Sequence, residues 1–395
     1  MRFLLYLGLA CSLGTAHAQA DLRALVDAAW TRHPQARQLE SRAQALAARR
    51  SVADAWLAAP AAVSSASRND RPYKNQGLRD HEVELALPLW LPGQRGARQA
   101  AAMADADALD AVRDALRLQL AGEVREAWIA LALARSDAEL ARTRLDTAQA
   151  LEQDLRRRLA VGESSRFDAN LAATERLTAD AALQEASIRE QEAAAALALL
   201  TGTVPEGEPT APEAAPAIAP GHPNLAAARL ATSAALARVR EARETTREAP
   251  ELAVGVRRER ADLADPYANS LALRLRLPLG SAPRHRAQVA EAQADLDLAD
   301  AQLRLQAERV SQDQRRAALE TETGQRLTQL AAQRQHLAAE NLRLARKAYQ
   351  LGELDLAALL RTQASAQEAD RAAQRARLNL IAARGRLQQA QGILP

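Results

Sequence analysis

The sequence contains one long internal repeat, in which the second half of the chain follows the first with an offset of 189 or 190 residues. This period is far longer than the roughly 20 to 50 residues of solenoid repeats. It therefore predicts two equivalent structural repeats, at residues 19–200 and 222–395. Three landmarks keep their order and spacing in both copies: His33-Pro34 and His222-Pro223, Leu87 to Trp90 and Leu277 to Gly280, and Val161 to Glu163 and Leu351 to Glu353.

A proline-rich segment, residues 201–221, separates the two copies. Its five prolines are spaced a few residues apart among small and acidic residues. Proline at this density disfavours helices and central strands. The segment is therefore predicted to be an extended connector.

The composition favours long helices over a globular enzyme core. Alanine supplies 97 of the 395 residues, whereas aromatic residues make up only 3%. Helices can approach closely over alanine, but a core of bulky side chains cannot be built. A helical stretch opens each copy, at Leu22 to Leu57 and at Asn224 to Glu248. Longer helices are predicted at about 97–160 and 284–350, each on the order of 95 to 100 Å long.

The first long helix carries an apolar seam with alternating spacings of four and three residues, as in a coiled coil. Apolar residues outside the seam indicate that this helix contacts more than one neighbour. The members of the seam are Leu120, Val124, Ala127, Leu131, Ala134, Ala138, Ala141, Leu145 and Ala148.

Short segments that alternate with period two, as β-strands with one apolar and one polar face do, occur twice in the second copy and once clearly in the first. The partner strand in the first copy, Ala61 to Arg68, is inferred mainly from the repeat. They predict β-hairpins at about 60–91 and 250–279. In the first hairpin, Val83 and Leu85 flank the charged Glu84. In the second hairpin, the polar face carries three arginines: Arg257, Arg274 and Arg276.

The first residues predict a cleaved signal peptide, residues 1–18. A basic start, an apolar run from Phe3 to Leu13 and a small-x-small motif ending at Ala18 are its three parts. Cleavage is expected after Ala18 or Ala20, and lipid attachment at Cys11 is the alternative. Because Cys11 is the only cysteine, the exported mature chain has no disulfides. No later run reaches the ~18 apolar residues of a transmembrane helix.

Charge and motifs argue against several functional classes. The net charge is +3, and arginine alternates with acidic residues instead of forming the basic patch of a nucleic-acid-binding protein. The sequence has no phosphate-binding glycine loop, no nucleophile elbow and no HExxH zinc motif. The histidines are dispersed, and His33 and His222 are predicted to have structural roles at equivalent helix starts. We therefore predict no enzyme, no cofactor, no metal site and no nucleic-acid partner.

Four strands per chain are too few to close a β-barrel, for which roughly eight are the least. Open sheet edges invite aggregation. Faces that are alternately apolar and charged suit lipid outside a barrel and water inside it. Several copies are therefore expected to combine in an outer membrane, two giving eight strands and three giving twelve. A soluble coiled-coil protein with small β-hairpins is the alternative that periodicity leaves open.

The order helix, hairpin, long helix, glycine turn and helix, repeated twice after a signal peptide, resembles the TolC family of outer membrane efflux proteins. The paired His-Pro starts, Leu87 to Arg98, Leu277 to Arg286 and the two glycine turns carry the resemblance. It implies a mainly α fold with a small β part, assembled as a homotrimer. The trimer would have a twelve-stranded transmembrane β-barrel and a twelve-helix tunnel through the periplasm.

The resemblance also implies a function, which is passive conduction of cargo delivered by an inner-membrane RND-type pump and a periplasmic adaptor. The strand-exit segments Leu87 to Arg98 and Leu277 to Arg286 look most like the CzcC-like branch, which serves heavy-metal export. Heavy-metal cations are therefore the implied cargo. Drug-efflux and type I secretion relatives share the architecture and are the alternative.

Functional residues follow from the same resemblance. The adaptor would dock at the two glycine turns, where glycine suits a tight helix-to-helix connection, and helix capping alone is the alternative role. In the family, acidic residues six and nine positions after the turn glycine narrow the tunnel, but Ala358 and Arg361 stand there in the second copy. The docking candidates are Val161, Gly162, Glu163, Leu351, Gly352 and Glu353; the constriction candidates are Asp168, Asp355 and Arg361; and the lumen candidates are Arg257, Arg274 and Arg276.

Four aromatic residues receive predictions from their positions. Trp90 ends a strand and Tyr267 lies in a hairpin loop, so both are expected in interfacial aromatic belts. Trp56 and Trp128 fall in helical stretches and are expected to pack between helices.

Overall fold

The computed structural model describes residues 22–209, 221–280 and 282–395. The predicted signal peptide and the middle of the predicted connector lie outside the described residues. None of the described helices is long and apolar enough to cross a membrane. The elements are α1 at residues 22–32, α2 (Pro34–Asp54), β1 (Ala62–Asn69), β2 (Arg79–Pro88), α3 (Gln94–Ala160), α4 (Arg166–Thr201), α5 (Pro223–Glu244), β3 (Glu251–Arg260), β4 (Ala268–Arg276), α6 (Ala282–Gln350) and α7 (Leu356–Ala390).

The first helical stretch is divided at Pro34, where the sequence predicts a helix start, and it ends at Asp54, three residues before the predicted end at Leu57. Proline has no backbone N–H and disfavours helical backbone at the residue before it, which separates α1 from α2. Trp56 comes after the end of α2 and is 91% exposed, so the expectation that it packs between helices is wrong.

The chain folds into two compact units, and neither coincides with one copy of the repeat. The helical unit takes the described residues up to Arg37 together with those of Asp114–Pro223 and Glu308–Pro395. The sheet unit takes those of Gln38–Arg113 and Asn224–Ala307. Each unit therefore combines equivalent elements from both copies, and the helices α3 and α6 contribute to both units.

Four helices of the helical unit are linked in the order α4, α3, α7, α6. In the described residues no hydrogen bond or ion pair joins α4 to α6, so these two helices are the outer members of the series. The links between neighbours include Arg144 with Glu175, Asp137 with Arg375, and Gln335 with Asp370.

The predicted seam of α3 forms much of the core of this unit. Val124 and Leu131 are completely buried in a cluster that also contains Trp128, whose indole N–H donates to a backbone carbonyl at 3.2 Å. Further along the seam, Ala141 packs against Ala186 of α4. The prediction of close helix packing over alanine, with Trp128 between helices, is therefore confirmed.

The sheet unit contains one antiparallel sheet with the strand order β1-β2-β3-β4. Each copy of the repeat supplies one hairpin, and β2 pairs with β3, with Val83 opposite Val256. The outer sides of β1 and β4 have no partner strand in the described residues. The helices α2, α3 and α5 also belong to this unit, where Arg238 of α5 donates to Asp105 of α3 at 2.6 Å. The predicted fold class, mainly α with four short strands in a duplicated arrangement, is confirmed.

Candidate functional site

The sheet has one face of aliphatic side chains that no described residue of the sheet unit covers. Leu271 and Leu273 of β4 are 76% and 72% exposed on this face. A contiguous apolar surface left open in this way marks a site of contact with lipid or another protein. The strand register aligns its members in rows, which include Val63, Leu85, Val254 and Leu273, and next to them Val83, Val256 and Leu271.

The opposite face of the sheet is charged and internally paired. It carries the three arginines that the sequence predicts for a lumen, and each forms at least one ion pair with a carboxylate of the sheet. Partly exposed pairs of this kind each contribute about 0–1 kcal/mol to stability, so they set the charge pattern of the face more than its stability. The pairs are Arg257 with Asp80 and Glu259 at 2.8 and 2.9 Å, Arg274 with Glu82 and Glu84 at 3.2 and 2.5 Å, and Arg276 with Glu251 at 3.5 Å.

The two glycine turns in the helical unit end α3 and α6 with the same backbone motif. Gly162 and Gly352 have φ values of +80° and +77°. The residue after each glycine donates its N–H to the carbonyl five residues earlier, at 2.8 and 2.9 Å, as in a Schellman cap. Val161 and Leu351, which precede the glycines, are 71% and 65% exposed. Both turns therefore present an aliphatic side chain, followed by an exposed glutamate, to the surroundings.

Substitution of Gly352 by valine is expected to destabilise the protein by about 1–2 kcal/mol, because left-handed backbone is unfavourable for residues with a Cβ. Substitution by asparagine is expected to destabilise the protein less than substitution by valine, because asparagine tolerates left-handed backbone better. A Cβ at Gly352 would meet no atom within 4 Å, so only the backbone opposes the change. Thermal unfolding midpoints measure the effect. Gly96 in the first turn of α3 has equally open space and helical backbone, and its valine variant is the control.

Two of the constriction candidates lie at the starts of the helices that follow these turns. The Oγ of Ser165 accepts a hydrogen bond from the N–H of Asp168 at 3.0 Å and donates to its carboxylate at 2.7 Å. Asp355 begins α7 by accepting a hydrogen bond from the N–H of Ala358 at 2.6 Å. Asp355 is the N-cap of α7, and Asp168 is an acidic residue in the first turn of α4, so stabilisation of a helix start by itself explains an aspartate at both positions. The third candidate, Arg361, is exposed further along α7.

A small core lies behind the turns and joins the ends of four helices. Leu155 of α3, Ala172 of α4 and Leu356 of α7 are buried in it, and Tyr349 of α6 packs against them. Burial raises the pKa of the Tyr349 hydroxyl. These contacts hold the two turns as parts of one packed region.

The outer side of α6 carries a stripe of exposed leucines. Leu330, Leu337 and Leu344 follow heptad spacing, and each is more than half exposed. Gln335 contacts α7, and Leu337 lies about 200° around the helix from it. The stripe therefore lies away from the Gln335 contact, although its leucines also border an open groove that Arg361 and Ser365 of α7 line. This stripe is not among the predicted functional residues, although its seven-residue spacing is a signal that the sequence displays.

The outer helix α4 carries an exposed aliphatic stripe of a different period. Leu177, Ile188 and Leu199 recur every eleven residues and are each more than half exposed. Eleven residues correspond to three helical turns, so the three side chains share one side of the helix. Both outer helices of the series thus present unpartnered apolar surface.

Two further partly buried polar side chains lie in the helical unit. A cavity of about 480 Å³ is lined in part by Trp128 and Ile129 and contains Arg125, whose pKa burial lowers to about 10. Arg125 donates to Gln389 of α7 at 2.9 Å and so links α3 to α7. Burial lowers the pKa of His222, which lies next to Gly392 at the start of α5. Within the ranges that the structure describes, no three acidic, histidine or cysteine side chains form a metal-binding group.

Three solved channel structures are similar to this chain over nearly its whole length. The outer membrane protein VceC of Vibrio cholerae gives a TM-score of 0.75 at 20% identity, over 94% of this chain and 96% of that chain. The CmeC outer membrane channel of Campylobacter jejuni gives 0.73 at 16% identity, over 94% and 85%. The open state of the MtrE outer membrane channel of Neisseria gonorrhoeae gives 0.72 at 19% identity, over 94% and 89%. No protein-family model and no curated protein matches the sequence.

This likeness establishes the fold. The chain has the architecture of TolC-type outer membrane channels, which the sequence resemblance implies. At these identities the likeness extends to the fold alone, and it does not separate the CzcC-like branch from the others.

Proposed function

We propose, on the basis of this fold, that the chain is one subunit of a trimeric outer membrane channel that serves as the passive exit duct of a tripartite efflux system. Each subunit would give β1–β4 to a twelve-stranded barrel in the membrane and α3, α4, α6 and α7 to a twelve-helix tunnel in the periplasm. The observation that carries the proposal is the open sheet with one exposed aliphatic face and one ion-paired face. The protein would provide a path for its cargo and perform no bond chemistry.

The two faces of the sheet suit two different solvents. Transfer of each leucine or valine side chain on the aliphatic face from water to an apolar environment is favourable by about 1.5–3 kcal/mol. The hydrocarbon core of a bilayer provides such an environment without any further protein. The charged face, with its arginines neutralised by carboxylates, suits a water-filled lumen. A soluble monomer would leave the aliphatic face in water at an unfavourable free energy.

The edges of the chain support a head-to-tail ring. The sheet ends in two different strands, β1 and β4, and the helical series ends in two different helices, α4 and α6. Contacts between unlike edges are heterologous, and they close into a ring when the rotation between subunits allows it. Three copies give twelve strands, an even number within the range of outer membrane barrels. Closure would pair β4 of one copy with β1 of the next and remove the open edges.

The partners would be a periplasmic adaptor at the glycine turns and an inner-membrane RND-type pump. We expect Val161→Asp combined with Leu351→Asp to abolish efflux-dependent resistance, because a charge replaces each exposed aliphatic contact. Trimer yield and single-channel conductance should stay at wild-type levels. Val52→Asp, an exposed position in the sheet unit, is the control. Full resistance in the double variant would favour glycine turns that only cap helices.

Heavy-metal cations are the cargo that we favour, because the strand-exit segments Leu87 to Arg98 and Leu277 to Arg286 resemble the CzcC-like branch. Deletion of the gene should then reduce tolerance to transition-metal ions, and a plasmid copy should restore it. Reduced tolerance to drugs or dyes alone would favour drug efflux, and loss of an exported protein would favour type I secretion. A soluble periplasmic monomer in cell fractionation would overturn the channel and favour a coiled-coil structural protein.

The charged face yields a prediction about ion selectivity. It carries four arginines and five carboxylates per chain, a net charge of −1. The double variant Arg274→Gln with Arg276→Gln changes the net charge of this face to −3. Because a narrow charged cleft concentrates counter-ions, the preference of the channel for cations over anions should rise by about tenfold. Glu82→Gln with Glu84→Gln brings the net charge to +1 and should shift the preference towards anions. Reversal potentials in a salt gradient measure both, and an unchanged potential in both variants would mean that this face lies outside the conducting path.

A further inference from the structure

Two polar rows border the aliphatic face of the sheet at the end where the hairpin loops lie. They belong to the same face as the leucines, because strand side chains alternate with period two. Tyr267 precedes β4 at this level, and the guanidinium carbons of Arg258 and Arg260 lie over its ring, 4.4 and 4.8 Å from the centre. We call these three residues the basic belt. The register gives the two rows as Ser67, His81, Arg258 and Asn269, and then Asn69, Arg79 and Arg260.

The arginines of the basic belt lack the acidic partners that other arginines of the sheet have. In the described residues neither Arg258 nor Arg260 forms an ion pair, whereas three of the four arginines of the charged face are paired with carboxylates. Arg79, in the same row as Arg260, is buried and paired with Asp70 at 2.9 Å. Arg260 donates its Nε to a backbone carbonyl at 3.2 Å, which leaves its other two nitrogens for a ligand. The belt is therefore a local excess of positive charge beside an apolar surface.

The loops hold the belt in place. The N–H of Leu263, in the connection between β3 and β4, donates to the carbonyl of Gln76, in the connection between β1 and β2, at 3.0 Å. A Cβ on Gly77 would come within 2.2 Å of the backbone of Leu263, so the two connections are in close contact. Both arginines thus start from a fixed backbone, which lowers the entropy that a ligand must remove on binding.

We propose that the basic belt binds the phosphate of an anionic lipid headgroup, with the acyl chains of the lipid on the adjoining aliphatic rows. A planar guanidinium group forms two parallel hydrogen bonds with phosphate oxygens, and basic clusters at a membrane surface attract anionic headgroups. In a lipid, the phosphate and the hydrocarbon chains are covalently joined, so the phosphate can contact the basic belt while the chains contact the adjoining aliphatic rows. Free phosphate can contact only the belt. The inference rests on the proposed function, in which the loop end of the sheet reaches the outer leaflet.

Native mass spectrometry of the full-length protein in detergent tests the proposal, with lipid A as the phosphorylated probe. Zwitterionic phosphatidylethanolamine and inorganic phosphate are the comparison ligands. We expect the wild-type protein to retain lipid A over both. Arg258→Gln with Arg260→Gln should lower retention by about tenfold or more, since the loss of one charge-assisted hydrogen bond already has about that effect. Arg274→Gln with Arg276→Gln, which removes the same charge from the opposite face, should retain lipid A as the wild type does.

Three results would overturn the inference: equal retention by the wild type and the Arg258/Arg260 variant, no preference for lipid A over phosphatidylethanolamine, or displacement of lipid A by millimolar inorganic phosphate. Single-channel recordings on the same preparations separate this failure from failure of the proposed function. A conducting channel that does not retain lipid A overturns the lipid site alone. A protein that neither conducts nor inserts into membranes overturns both.

Discussion

Replacement of Leu273 by arginine is expected to prevent the protein from accumulating as a trimer in the outer membrane. Leu273 lies in the aliphatic row that also contains Leu85 and Val254, with further apolar residues on both sides along its strand. An arginine near the middle of a bilayer costs about 2–4 kcal/mol, so three copies cost about 6–12 kcal/mol per trimer. Trimer in the outer membrane fraction, quantified on unheated gels, should fall below about one tenth of wild type.

The control for this experiment is arginine at the neighbouring position, Ala272→Arg. Ala272 points to the charged face, opposite Gly255 and in the same row as Glu84. The added side chain has the same size and charge as in the Leu273 variant, but it would enter water beside a carboxylate. This variant should accumulate normally. If both variants accumulate to the same level, the aliphatic face does not contact lipid and the channel proposal fails.

The double substitution Leu330→Glu with Leu337→Glu is expected to prevent trimer formation and leave the protein monomeric. Both leucines lie on the exposed stripe of α6, away from the side on which Gln335 contacts α7, where the ring model places α4 of the next subunit. Burial of two leucines at each of three interfaces contributes about 9–18 kcal/mol per trimer, and two buried, unpaired carboxylates add a further cost. Size-exclusion chromatography with light scattering in detergent measures the change of mass.

The matched control places the same charges one residue earlier, as Gln329→Glu with His336→Glu. Both positions are exposed and have the same seven-residue spacing, but they lie about 100° around the helix from the leucines. This variant should remain trimeric. A trimer of unchanged thermal stability in the leucine variant would mean that α6 does not form the subunit interface, even if the sheet still inserts into a membrane.

The sequence alone was enough to predict the elements and their faces. The period of 3.5 residues along α3 marks the seam that packs over Ala186, and the period of two in β3 and β4 assigns Arg257 and Leu273 to opposite faces. Both periods come from the local geometry of the backbone, so a linear sequence displays them directly. The same local rules failed at Trp56, where a run of favourable helix residues hid the end of α2 at Asp54.

The sequence therefore determined the duplication, the types of element and which side chains share a face. The tertiary structure decided which surfaces are satisfied within one chain and which are left for others. It pairs Arg257 with Asp80, 177 residues away, whereas Arg258, the next residue, has no acidic partner among the residues that the structure describes. It also sets α7 against one side of α6 and so leaves the leucines of the other side open. Periodicity depends on neighbouring residues, whereas the partner of a face depends on contacts between distant parts of the chain, which no local pattern encodes.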